Sequence, residues 1–120
     1  MSKDKKILLV DDSAFMRKVL RDIFESDGYT NFIEAGNGNE AIQKINSEKP
    51  DFVFLDIIMP DVNGMDVLRG IGTGTRVIVV SAVGQKEMIE QAKSLGALDY
   101  IVKPFDRDQV LEKAKAYFDK

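Results

Sequence analysis

Four short apolar runs in this chain each lead straight into a residue that can bind or carry charge. Lys6–Asp12 reads KILLVDD, Asp51–Pro60 reads DFVFLDIIMP, Val77–Ala82 reads VIVVSA and Asp99–Phe105 reads DYIVKPF. The groups at their ends are the acid pair Asp11–Asp12, then Asp56, Ser81 and Lys103. If the runs are neighbouring parallel strands, all five groups meet beyond one edge of a sheet, where open α/β sheets bind their ligands. Carboxylates held that close repel one another by about 4 kcal/mol per pair at a separation of about 4 Å and an effective dielectric of about 20. A divalent cation relieves that repulsion, and an all-oxygen donor set selects Mg²⁺ over zinc or copper.

Taken one at a time, these residues have ordinary explanations. Asp11 and Asp12 read as a solvated strand end with a helix cap, Lys103 as a surface lysine, and Ser81 as a strand-end hydroxyl bonded to backbone. Asp56 fits that description less well, because apolar residues flank it on both sides in FVFLDIIM. What makes coincidence a poor account is that all five groups fall at the same end of their segments.

The elements that must position them follow from hydrophobic period. Ile7–Val10, Phe52–Leu55 and Val77–Val80 are continuous apolar runs, as expected of parallel strands covered on both faces. Asn31–Ala35 is a fifth strand-like segment, without a reactive end. Between the runs the period lengthens. Met16, Leu20, Ile23 and Phe24 make one helical face, with Asp12 or Ser13 as its cap and Gly28 at its stop. Asn37 and Glu40 resemble a capping box ahead of Ala41, Ile42 and Ile45, and Pro50 follows that helix. Met88, Ala92 and Leu95 form another face, ended by Gly96. Asp106 is placed to cap the last helix, with Val110, Ala114 and Tyr117 on its buried side and Leu111 and Phe118 beside them. The third helix is the weakest. It starts near Gly64–Met65 and meets Gly70, Gly72 and Gly74, each interior glycine costing roughly 1 kcal/mol relative to alanine. A short helix ending near Gly70 and then an irregular loop are expected. The order is β-α repeated five times, which forces parallel pairing through right-handed crossovers and gives a three-layer sandwich.

Composition narrows the function classes. The 120 residues contain no cysteine and no histidine, which removes disulfides, thiolate metal sites, imidazole ligands and histidine bases. The formal net charge of −3 argues against sequence-independent nucleic-acid binding. The N-terminus has lysines before a short apolar run, but that run ends in acids and lacks a cleavage site, so it does not read as a signal peptide. No apolar stretch approaches the roughly 20 residues that span a bilayer. A soluble, cytoplasmic, single-domain protein is expected over residues 1–120.

The acid pair Asp11–Asp12, Asp56 in DIIMP, the hydroxyl in VSA, and KPF with Tyr100 three places before its lysine together resemble the receiver domain of two-component response regulators. AFMRKVL after the acid pair and SAVGQKEMIEQAKSLGALDYIVKPF are most similar to the stand-alone chemotaxis receivers of the CheY type. The resemblance spans essentially the whole chain. It implies the flavodoxin-like (βα)5 fold with a five-stranded parallel sheet in the order 2-1-3-4-5, an order that comes with the family and not from the residues. It implies that Asp56 is the phosphoacceptor, that Asp12, Asp56 and the backbone carbonyl of Ile58 bind Mg²⁺, and that Asp11 holds a metal-bound water. Lys103 would neutralise phosphoryl charge, and Ser81 would hydrogen-bond the phosphoryl group, pulling the following loop so that Tyr100 turns inward. The Lys103–Pro104 bond is expected to be cis. The partner face would carry Lys86, Ile89, Tyr100 and Lys113. Partners implied are a histidine kinase as phosphodonor, the flagellar motor switch protein and a separate phosphatase, with the chain itself a monomer that catalyses only its own phosphorylation and dephosphorylation.

Two positions depart from the polar residues common in the family: Ile58, two after the acceptor, and Val83, two after Ser81. Both would flank the path of the hydrolytic water, and neither can orient it, so slow self-dephosphorylation is expected. The Gly70–Gly74 loop is also shorter than the family leads one to expect. Three other readings fit parts of the pattern: a receiver that controls a partner outside motility, a flavodoxin-like electron carrier and an aspartyl-phosphate phosphatase. The electron carrier would need a Gly/Ser/Thr-rich phosphate cradle where DDSAF stands. The phosphatase would need a second acid where Ile58 stands.

Overall fold

The computed structural model of the chain describes residues 4–71 and 74–118. Five strands alternate with five helices: β1 (Ile7–Val10), α1 (Ala14–Ser26), β2 (Phe32–Ala35), α2 (Gly38–Glu48), β3 (Phe52–Leu55), α3 (Gly64–Ile71), β4 (Arg76–Ser81), α4 (Lys86–Ser94), β5 (Asp99–Val102) and α5 (Arg107–Phe118). The sheet is parallel throughout and ordered β2-β1-β3-β4-β5, as the family resemblance implies. Among the described residues, no helix is long and apolar enough to cross a membrane.

The uninterrupted apolar runs are explained by burial on both faces. Leu8, Val10, Val53, Leu55, Val77 and Val79 point to one side, where they meet Ala41 and Ile45 of α2, Met65, Val67 and Leu68 of α3 and Ala92 of α4. Their neighbours Ile7, Leu9, Phe52, Phe54, Ile78 and Val80 point to the other, against Leu20, Ile23 and Phe24 of α1 and Val110, Leu111, Ala114 and Phe118 of α5. The second layer is rich in rings. Phe52 and Phe118 lie 4.3 Å apart between centroids, and Phe24 and Phe54 lie 4.8 Å apart. Such pairs add about 0.5–1.5 kcal/mol each beyond their area.

Local chemistry sets the helix ends. Ser13, not Asp12, caps α1, its hydroxyl accepting the Met16 N–H at 3.2 Å. Asn37 caps α2 by accepting the Glu40 N–H at 2.8 Å, while the Glu40 carboxylate reaches past the cap to the Gly36 N–H at 2.9 Å. Asp106 accepts the Gln109 N–H at the start of α5. On α5 the fully buried face is Val110, Leu111, Ala114 and Phe118, and Tyr117 is half-buried, one position round from the expected stripe. α3 runs to Ile71, one residue beyond Gly70. Gly72, which the sequence puts in the following loop, lies outside the described residues, as do the chain ends at 1–3 and 119–120.

Two glycines permit close approach of the segment after β3. A Cβ on Gly64 would sit 2.3 Å from the Ile57 Cα, and one on Gly38 would sit 2.6 Å from the Val62 Cβ. A Cβ on Gly70 would meet nothing within 4 Å. Alanine at these sites should therefore act in opposite directions. Gly64→Ala is expected to destabilise by about 1–3 kcal/mol through overpacking, and Gly70→Ala to stabilise by up to about 1 kcal/mol through helix propensity. Urea unfolding of both variants checks the pair of signs.

Candidate functional site

The strand ladder itself delivers the reactive groups. Ser81 ends its strand, Asp11, Asp56 and Lys103 lie one residue past theirs and Asp12 two past, and at Asp11, Asp56 and Lys103 the backbone is still pinned to the neighbouring strand. The Asp11 N–H donates to the Ala35 carbonyl at 3.2 Å, the Asp56 N–H to Val10 at 3.0 Å and the Lys103 N–H to Ser81 at 2.9 Å. β1 and β3 are adjacent at the point where the strand order reverses, so Asp11, Asp12 and Asp56 face a single crevice.

Three carboxylates converge there. Asp11, Asp12 and Asp56 each offer an oxygen, and the three oxygens lie within 4.8 Å of one another. Asp11 and Asp56 are buried, at 2 % and 6 % exposure, and Asp12 is exposed. The Lys103 ammonium donates to Asp11 Oδ2 at 2.8 Å and to Asp56 Oδ2 at 3.0 Å. The other oxygens of these two acids accept backbone N–H groups two residues on, from Ser13 at 2.9 Å and from Ile58 at 2.9 Å. Both are Asx turns, which fix the carboxylates in place.

The charges are unbalanced. Burial pushes the Asp56 carboxyl above the usual aspartate range. The Ile58 N–H and Lys103 pull it back, and the Asp11 charge pushes it up again. Burial disfavours the Lys103 ammonium, yet hydrogen bonds and charge from Asp11 and Asp56 outweigh that and hold it above the ordinary lysine value. Three formal negative charges thus face one firmly held positive charge. An oxygen-only pocket with two negative charges left over is the donor set that a small, hard dication takes.

Ser81 is fully buried and its Oγ accepts the Val83 N–H at 3.2 Å. The Val83 carbonyl in turn accepts a hydrogen bond from the Tyr100 hydroxyl. Tyr100 is 4 % exposed, so its ring already lies inward and adds no outer surface between α4 and α5. Burial raises its phenol above the usual value, the Ser81 hydroxyl opposing and the Asp56 charge reinforcing that shift. Lys86 stands exposed on α4 with Glu90 3.8 Å away, Ile89 is half-buried beside it, and Lys113 on α5 donates to Asp99 at 3.4 Å. At the rim of the crevice the side chains of Ile58 and Phe15 stand in water, at 53 % and 73 % exposure. The Lys103–Pro104 peptide is cis.

Sequence patterns alone did not single out two polar side chains that contribute to this end of the sheet. Arg17 donates from Nη1 to the Asp11 backbone carbonyl at 2.6 Å and from Nε to Glu34 at 2.8 Å. Asp61 accepts the Gly38 and Asn39 N–H groups at 2.9 and 3.1 Å, fastening the loop after β3 to the start of α2. The signal for the first was the lone acid in the otherwise apolar FIEA. The second sits in a run of loop residues and gave none.

The response regulator receiver domain family model matches residues 7–115. The chemotaxis protein CheY of Thermotoga maritima is 46 % identical over 111 residues, covering 90 % of this chain and 92 % of that protein. Sporulation initiation phosphotransferase F of Bacillus subtilis is 38 % identical over 117 residues, covering 95 % and 94 %. Among solved structures, the CheX–CheY–BeF3–Mg²⁺ complex from Borrelia burgdorferi superposes with a TM-score of 0.92 at 37 % identity, covering 97 % of this chain and 90 % of that one.

The Asp56 shift has a consequence for stability. A carboxyl whose pKa is raised on folding weakens the fold as pH climbs from the ordinary aspartate range through the folded value. Asp56→Asn lacks that penalty. Without divalent cations, the variant is expected to be more stable than the parent at pH 7, with the gap narrowing as pH falls toward about 4. Denaturant melts across that range test it, and a gap that widens on acidification is the contrary result.

Proposed function

The chain belongs to the response regulator receiver family, and from that premise we propose that it is a phosphorylation-driven switch whose acceptor is Asp56. A histidine kinase is the phosphodonor. The Asp56 carboxylate attacks phosphorus, the bond to the kinase imidazole breaks, and the product is an acyl phosphate. The observation that carries this reading is the convergence of three carboxylate oxygens within 4.8 Å beside the doubly bonded Lys103 ammonium.

The chain's own groups divide the work. Asp12, Asp56 and the Ile58 carbonyl would hold Mg²⁺, and Asp11 would hold a water beside it. When bound, the ion supplies positive charge that draws phosphoryl oxygens into the crevice. Lys103 brings the second positive charge, already aimed at Asp56 and kept ionised by its neighbours. Fixed charges of this kind act by electrostatic stabilisation of a transition state whose negative charge is spread over the equatorial oxygens. The Ser81 hydroxyl uses its lone pair for the Val83 N–H and keeps its proton for a phosphoryl oxygen. Any shift of Ser81 toward that group is felt by Val83, and through its carbonyl by Tyr100. The surface built by α4, β5 and α5, with Lys86, Ile89 and Lys113, is where the change is read. The ring of Tyr100 tunes that surface from beneath.

The partner proposed is the flagellar motor switch protein, in keeping with the similarity to chemotaxis proteins named CheY. A second reading, control of a partner outside motility, is favoured by the similarity to the sporulation phosphotransferase over the same length of chain. For removal of the phosphoryl group a separate phosphatase is proposed. The neighbouring CheY structure was solved with a second protein, CheX, and the apolar rim residues here leave the hydrolytic water without a side-chain guide.

Incubation with Mg²⁺ and acetyl phosphate should give a phosphoryl adduct by intact mass in the parent and none in Asp56→Asn; an adduct in the variant rejects the acceptor assignment. Ile58→Asn and Val83→Glu should each shorten the adduct's half-life by about tenfold, less than the roughly 100-fold at which general acid–base contributions begin, because a side chain here would orient the water without taking its proton. Decay no faster in the two variants than in the parent rejects the account of slow hydrolysis.

A further inference from the structure

Of the three clustered acids, only Asp12 has no hydrogen bond of its own among the described residues. Asp11 is tied by the Ser13 N–H and Lys103, and Asp56 by the Ile58 N–H and Lys103. Something else must place Asp12. Its peptide is planar, so the Asp11 carbonyl oxygen and the Asp12 N–H move together. That oxygen is gripped at 2.6 Å by Arg17 Nη1. Arg17 cannot swing away, because its Nε is fixed at 2.8 Å to Glu34 Oε1 on β2 and its side chain is largely buried at 18 % exposure. Glu34 is fixed in turn by Arg21 Nη1 at 3.0 Å on its second oxygen. The fork geometry of the guanidinium is what lets one side chain hold both partners at set angles.

We propose that Arg17, braced by Glu34, is a positioning residue for cation binding: it sets the peptide plane from which Asp12 reaches the metal. The inference rests on the proposed Mg²⁺ site. Its sign separates it from a simple charge effect. Arg17 carries a positive charge close to the crevice, so removing that charge alone would tighten the binding of a dication. Loss of positioning would weaken it. Outer-shell partners of metal ligands are typically worth 10–100-fold in affinity.

The test is a Mg²⁺ titration, with no phosphodonor present, followed by the amide resonances of Asp12 and Ser13 in the parent and in Arg17→Ala, Arg17→Lys, Arg21→Ala and Asp12→Asn. Arg17→Ala is expected to bind at least tenfold more weakly and to shift the Asp12 amide resonance before any Mg²⁺ is added. Arg17→Lys keeps the charge but not the fork and should be nearly as weak. Arg21→Ala loosens the brace on Glu34 while leaving the Arg17 fork in place, and should weaken binding by less than Arg17→Ala does. Equal or tighter binding by Arg17→Ala, or full rescue by Arg17→Lys, overturns the proposal while leaving the metal site standing. A parent that does not bind Mg²⁺, or an Asp12→Asn variant that binds as well as the parent, overturns the site itself and the clamp with it.

Discussion

The Lys103 ammonium, shared between Asp11 and Asp56, is the contact on which the rest of this molecule's arrangement turns. It joins groups 92 and 47 residues away in the chain. Its charge offsets part of the cost of burying both carboxyl groups. An unpaired carboxylate in a low-dielectric site tends to neutralise by taking up a proton. Compensation stops short of neutrality, however. Lys103 bonds two of the three clustered acids, and the charge left over belongs to an all-oxygen donor set of the kind a small, hard dication takes.

A pair of 2.8 and 3.0 Å contacts requires backbone placed to a fraction of an ångström, and the sheet supplies that placement. Parallel pairing leaves strand ends in step, and the ladder continues one residue past β1, β3 and β5 at Asp11, Asp56 and Lys103. The two Asx turns then aim the carboxylates. Loop residues built this way behave as extensions of the sheet. The three-layer architecture matters here because central strands covered on both faces cannot slide without disturbing both cores at once, the aliphatic one under α2, α3 and α4 and the ring-rich one under α1 and α5.

Much of this was legible in the sequence because the signals were redundant. ILLV, FVFL and VIVV are too apolar to be half-exposed, and the helical stripes from Met16 and Met88 carry their own stop signals at Gly28 and Gly96, both of which take positive φ. The site followed because its members share one topological position. What could not be read is equally physical. Ser13 and Asp12 are both competent caps, and only the direction of the chain leaving β1 chooses Ser13. The buried stripe of α5 is shifted from Tyr117 to Leu111 and Phe118 because the ring cluster around Phe52 accepts Phe118 fully, leaving the tyrosine at the edge. Arg17 and Asp61 bond to backbone atoms of other segments, and a contact with backbone leaves no trace in side-chain pattern.

The path outward from the crevice has an energetic logic of its own. Val83 is held at both ends of its peptide unit, its N–H by Ser81 and its carbonyl by Tyr100. If the loop after β4 moves while the ring stays buried, the phenol loses its acceptor, and an unsatisfied buried hydroxyl costs about 1–3 kcal/mol. If the ring leaves while the loop stays, the carbonyl loses its donor. The two movements are therefore coupled by an amount of the same order as the 1–3 kcal/mol typical of coupling between sites in allosteric proteins. That size is large enough to bias the joint position of loop and ring by one to two orders of magnitude, yet small enough that both arrangements are populated.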